Sequence, residues 1–292
     1  MTAIPVRAEQ MRVDGYFPAG SDEAAMLRTI AVDDFSGEDG ASLALLVADR
    51  LREVRIDGQP WLSVLAGRFG RDAEAVLGGN VRTRFAEENI TLTRNVCTSY
   101  DDYGNCLQRA DQAVPCLRVT VFVRPELRLT RGGGQLLWSF SQEASRSADY
   151  CPDYDNRPDF ETSVNDLLGD YARQIRFALA PAHESRAIRV MEGRGDLPRP
   201  LRDPYRNAIR LVERDPTAAC AQFASLAPQA PTHSQLSHNT ALCAEREGRW
   251  DDAAAGYNQI QGMRGARNEA QAGLGRIAAY RRARSQIERR GG

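Results

Sequence analysis

Apolar and polar positions follow several distinct rhythms along the chain. Residues 27–35 form a short apolar run closed by Asp33-Asp34 and Phe35, as in a buried strand. A polar turn spans 36–40. Leu43, Val47, Leu51 and Val54 then recur at helical spacing, and Gly58 and Pro60 end that helix. Residues 61–65 give a second strand. Extended runs are expected at 75–77 and 81–96, with a break at Gly78-Gly79. Leu117, Val119, Val121, Val123, Leu127 and Leu129 alternate with period two, so one face is buried and one is wet. Gly132, Gly133 and Gly134 turn the chain into a return strand over 135–144. A polar loop at 98–114 separates the long runs. Phe160, Val164, Leu167, Leu168, Tyr171, Ile175 and Leu179 predict a helix over 159–180, bracketed by Pro158 and Pro181.

These rhythms divide the chain. Residues 1–24, interrupted by Pro5, Gly15, Pro18 and Gly20, read as a tail or tether. Residues 25–192 read as an α/β domain, a mixed open sheet with helices on one face. Residues 193–202 read as a linker. Its Arg194-Gly195-Asp196 tripeptide is what chance gives in an arginine-rich linker. Residues 203–292 read as an all-α helical-repeat domain. A shift of 34 residues maps Ile209 onto Cys243 and Ile277, Ala219 onto Ala253, Phe223 onto Tyr257, and Leu226 onto Ile260.

Composition narrows the function. With 42% hydrophobic and 26% charged residues over 292 positions, the chain is a folded protein of about two domains. A net charge of −1 gives no global pull toward nucleic acid or anionic lipid. All 38 basic residues are arginine, which removes a catalytic lysine, a Schiff base and a phosphate-loop lysine at once. The longest apolar run, 43–48, is far below the roughly 20 residues of a membrane helix. The six cysteines have no metal-type spacing, and each half holds an even number, so disulfides in an oxidising compartment are expected. No charged-then-apolar leader is present, so that reading expects an export signal to have preceded the numbered chain.

Candidate chemistry is sparse. Asp33 and Asp34 end a strand where α/β sheets bind ligands, but one of them, or Ser36, also suits a turn or helix cap. Asp101, Asp102 and Asp111 lack EF-hand spacing. Glu87-Glu88 has no partner, and His183 beside Glu184 has no serine elbow. The arginine-rich tail, with Arg276, Arg281, Arg282, Arg284, Arg289 and Arg290, suits a solvated helix end. No catalytic residue, metal site or cofactor is therefore expected.

Two resemblances add to this. Ile30-Ala31-Val32-Asp33-Asp34-Phe35-Ser36-Gly37, the 43–51 helix, Ala75-Val76-Leu77-Gly78-Gly79-Asn80-Val81 and Gly134-Gln135-Leu136-Leu137-Trp138-Ser139 resemble the periplasmic α/β domain of curli-secretion-type lipoproteins and penicillin-binding-protein activator lipoproteins, over about 27–180. That implies an exported, often lipid-anchored envelope protein that acts by binding. The hairpins carry Arg82, Arg84, Arg94, Arg118, Arg124 and Arg128, so no lipid-facing band for a channel survives. Ala241, Gly248, Trp250, Ala253 and Tyr257, with Pro216 and Phe223 in the preceding copy, resemble tetratricopeptide repeats over roughly 202–290. By analogy with that family, the partner face is formed by Gln235, His238, Leu242, Glu245, Arg246, Arg276 and Tyr280. Antiparallel packing of such helices brings Cys220 to Cys243. In the first domain the hairpin geometry favours Cys116 with Cys151 and Cys97 with Cys106, with Cys97–Cys116 and Cys106–Cys151 as the alternative.

The expected function is thus a non-catalytic envelope adaptor, periplasmic or tethered to the outer membrane by a lipid anchor outside this chain. It would bind another envelope protein through its repeats, and no nucleic acid. The competing expectations are a subunit of an envelope assembly or secretion complex, as an oligomer, and an envelope hydrolase using Asp33, Asp34 or His183.

Overall fold

A computed structural model describes residues 9–263 and 265–291, with the backbone alone at 68–70. Residues 1–8 of the expected tether lie outside the described residues. In chain order the elements are β1 (Gln10–Phe17), α1 (Asp22–Ala25), β2 (Thr29–Val32), α2 (Gly40–Arg52), β3 (Arg55–Ile56), β4 (Gln59–Pro60), β5 (Ser63–Ala66), β6 (Ala75–Tyr100), β7 (Cys106–Arg131), β8 (Leu136–Ser141), β9 (Ala144–Tyr150), α3 (Phe160–Leu179), β10 (Ala182–Arg189), α4 (Arg199–Leu211), α5 (Pro216–Leu226), α6 (Ser234–Arg246), α7 (Trp250–Ile260) and α8 (Arg267–Gly291). The fold is mixed α/β, with helices making up the C-terminal part.

The elements form two compact units. One is residues 20–180. The other is discontinuous and joins the residues up to Ala19 with those from Pro181 onward. The predicted boundaries at 24, 192 and 202 therefore shift. The cause is β1, which pairs antiparallel with β10 from Gln10↔Arg189 to Phe17↔Ala182. The expected tether is thus a strand from Gln10 to Phe17. The expected linker at 193–202 is partly core, because Leu197 and Leu201 are buried with the helices.

In the 20–180 unit, β2 lies between β5 and the start of β6, parallel to both, and α2 makes the crossover to β5. Leu43, Val47 and Leu51 bury the inner stripe of α2. β6 and β7 then run antiparallel for 26 residues each, roughly 85 Å of ribbon at the usual rise. Gly78-Gly79 does not break β6. A Cβ at Gly79 would stand 2.1 Å from the Glu126 carbonyl oxygen, so glycine allows the strands to close there. The expected polar loop at 98–114 is also strand on both sides, and only residues 101–105 turn. β8 covers β7 over Glu126 to Thr130, and β9 covers it over Leu117 to Val123. The helix α3 starts at Asp159, whose side chain caps Glu161 N–H. It buries Val164, Leu168, Tyr171 and Ile175 above Val121 and Val123, and the Tyr171 hydroxyl donates to the Val123 carbonyl at 2.8 Å.

In the other unit, α4–α8 pack consecutively around one core. Residues related by the 34-residue shift are buried together: Ile209, Cys243 and Ile277; Ala219 and Ala253; Phe223 and Tyr257; Leu226 and Ile260. α5 and α7 open 34 residues apart, at Pro216 and Trp250. Met11, Val13 and Phe17 of β1 belong to the same core.

Candidate functional site

The expected partner face lies on α6 and α8, and β1 packs on both helices. Its alternating Met11 and Val13 are fully buried. A Cβ on Gly15 would meet the Tyr280 ring at 2.6 Å, so the strand runs directly over that ring. The Phe17 and Tyr280 rings meet edge to face at 5.1 Å. Two buried carboxamides hold the ribbon ends. Gln286 of α8 accepts from Ala19 N–H at 2.8 Å and donates to its carbonyl. Asn239 of α6 accepts from Met191 N–H at 2.9 Å and donates to the Met191 carbonyl at 2.9 Å.

This corrects the assignment of the face residues. His238, Leu242, Glu245 and Tyr280 are at most 1% exposed, so they are core and not an open groove. The Glu245 carboxylate accepts from Arg276 Nε at 2.6 Å and Nη2 at 2.8 Å, from the Tyr257 hydroxyl at 2.7 Å and from the Tyr280 hydroxyl at 3.1 Å. Every lone-pair direction of the acid is taken, which ties α6, α7 and α8 together. Burial pushes the Tyr257 and Tyr280 hydroxyls above the usual phenol range, and the Glu245 charge adds to it. Burial lowers the His238 pKa, and Arg276 adds to the lowering, against the Asn239 contact and the Glu269 and Glu245 charges. Gln235 and Arg246 are half-buried. Gln235 lines a cleft of about 540 Å³ with His233, Gly195, Asp196 and Met263.

The structure pairs Cys220 with Cys243, Cys116 with Cys151 and Cys97 with Cys106. Two of these bridges sit on the long ribbon. Beyond Leu117, where β9 stops, β6 and β7 continue without a third strand among the described residues. There Val96, Val114, Cys116 and Cys151 form a small core of their own, with Ile90 and Leu92 against it. Arg94 bonds Asp155 at 2.6 Å, and Arg157 bonds Glu87 at 3.1 Å, which fastens the segment after Cys151 to the ribbon. The tip closes on Asp101, whose carboxylate accepts from Tyr103 N–H, Asn105 N–H and the Asn105 amide. These bonds, that of the Asn105 side chain first, lower its pKa. Tyr100, Tyr103 and Leu107 stand exposed around it, Tyr103 by 92%.

Of the remaining candidates, Asp33 and Asp34 lie in the 20–180 unit and His183 in the other. Asp33 accepts from Asp34 N–H at 3.0 Å, and Gly67 lies so close that a Cβ would sit 2.3 Å from its Oδ1. His183 lies on β10, its ring edge to face with Tyr16. Among the described residues no group of three His, Cys, Asp or Glu side chains could hold a metal ion, and no helix is long and apolar enough to cross a membrane. Sequence reading missed β1. The alternation of Met11 and Val13 was its signal, and Gly15, Pro18 and Gly20 obscured it.

No family model matches the chain, and no curated protein matches it in sequence. Among solved structures it is similar to a single-substitution variant of the PelC dodecamer from Paraburkholderia phytofirmans, at 16% identity over 59% of this chain and 98% of that one, with a TM-score of 0.25. Three disulfides fit a secreted or periplasmic compartment.

Proposed function

We propose that this protein is a non-catalytic adaptor of the bacterial cell envelope, periplasmic or tethered to the outer membrane, and that it binds another protein through the tip of the β6–β7 ribbon. The helices α4–α8 are in this reading a tetratricopeptide-like module closed on its own N-terminal strand. That closure moves partner binding away from α6 and α8. The observation that carries the reading is the distal ribbon. A two-stranded ribbon alone is marginal in water. Here two disulfides and a private core hold it in shape, and they present Tyr100, Tyr103 and Leu107 to solvent. Rigid exposed aromatics are the residues that anchor protein interfaces. A photo-crosslinking residue at position 102, an exposed turn position at the same tip, should capture one protein in the intact cell. Tyr100→Ser, Tyr103→Ser and Leu107→Ser together should abolish that capture without moving the melting temperature. Capture that survives the triple substitution sinks the reading.

A second reading, a subunit of an envelope assembly, is favoured by the open outer edge of β6.

A further inference from the structure

α2 and α3 pack on the face of the main sheet that carries Leu77, Leu127 and Leu129. The opposite face is polar where β2 and β5 end, at the carboxyl edge where open α/β sheets hold ligands. Asp33 follows β2, and its N–H donates to the Leu77 carbonyl at 2.9 Å, which sets it beside Gly78. Gly78 is the register partner of Arg128. Gly67 makes room for the Asp33 carboxylate on one side, and Gly78 puts no side chain between it and Arg128 on the other. Two adjoining grooves of about 520 and 530 Å³ result, and Asp33, Val76 and Thr130 line both. Arg128 lines the first groove, and Arg71 and Arg131 line the second.

These three arginines differ from their neighbours. Arg82, Arg84, Arg94, Arg118 and Arg124 of the same ribbon each bond a carboxylate. Arg71, Arg128 and Arg131 have no such partner among the described residues, and all three are exposed. Asp33 accepts from the Asp34 N–H through Oδ1 alone, so its second oxygen can take a donor. The grooves therefore offer guanidinium donors for an acid and, on the divide between them, a carboxylate for hydroxyls. A dianionic phosphate would be repelled by Asp33. A carboxylate with hydroxyls beside it presents one charge to the arginines and donors to Asp33.

We propose that these grooves bind an acidic saccharide. Arg71 and Arg131 hold the carboxylate of one uronic-acid unit through charge-assisted hydrogen bonds. Hydroxyls of the adjoining unit donate to Asp33 and accept from Arg128. The site shares no residue with the ribbon tip, so it and the adaptor reading fail separately. Calorimetry of the full oxidised chain with trigalacturonic acid should show binding that weakens as salt rises. The methyl-esterified trimer keeps the hydroxyls and loses the charge, and it should bind about tenfold weaker or worse. R71Q and R131Q should each weaken the acid about tenfold. D33N should weaken the trimer but strengthen inorganic phosphate, a change of opposite sign that loss of folding cannot mimic. R173Q, on α3 and paired with Asp170, should change nothing. Melting curves show that each variant is folded. Four results overturn the proposal: no binding of the acid, equal affinity for its ester, equal affinity for acetyl-trialanine, which has a carboxylate and no hydroxyl, or indifference to R71Q and R131Q.

Discussion

Glu245 is the residue on which the helical unit turns. A carboxylate taken fully out of water is tolerated only when its partners surround it, and here Arg276 and two tyrosine hydroxyls do so. Removing one partner strands the charge, whereas removing both charges leaves only a packing problem. Arg276→Met should therefore cost about 3–5 kcal/mol. Adding Glu245→Leu to it should recover part of that loss, a non-additivity readable by urea denaturation at neutral pH. A double variant whose loss equals the sum of the Arg276→Met and Glu245→Leu losses measured singly would show that the pair is not coupled. The same residues show why a sequence misplaces a face. A repeat helix with His238, Leu242 and Glu245 on one stripe offers them equally to a partner and to a buried network. Only the location of β1 decides between the two, and that is a contact across more than 200 residues of sequence.

At the scale of elements, the ribbon is the part whose order depends least on the main sheet. Cys116–Cys151 closes a loop with a sequence separation of 35, for which the chain-entropy relation gives about 4 kcal/mol. It also supplies half of the small core with Val96 and Val114. Cys116→Ser with Cys151→Ser should thus open residues 90–115 to proteolysis while α4–α8 stay protected. Hydrogen exchange resolved by segment reads this directly, and uniform protection along β6 and β7 would refute it. Legibility follows the same line. Leu117 to Leu129 and the α3 stripe were readable because one face is buried along their length. Residues 98–114 read as a loop because Gln108, Arg109, Asp111 and Gln112 are polar on both faces. Pairing and a cross-link make that stretch a strand, and hydrophobic period carries no trace of either. Gly78-Gly79 read as a break for a related reason. Glycine marks both a bend and a close approach, and only the partner strand tells them apart.

For the whole molecule, the discontinuous unit sets the order of construction. Its first strand is made before residues 20–180 and its second after them, so the helical core cannot close until the chain has passed through the other unit. The helices alone, 203–292, would leave the surfaces that Met11, Val13 and Phe17 cover facing water. The ribbon itself suggests how to separate the two. Phe17 and Ala182 are register partners at the end of an antiparallel pair, the place where a two-residue hairpin turn fits. Replacing residues 18–181 by Asn-Gly should join β1 to β10 as a hairpin and give a monomeric helical protein with one cooperative melt. The two Ala19 bonds to Gln286 would be lost, a cost of about 1–3 kcal/mol. The 203–292 fragment under the same oxidising conditions should melt lower and less cooperatively. If the fragment and the joined chain melt alike, β1 is an ornament on the helices and not part of their core.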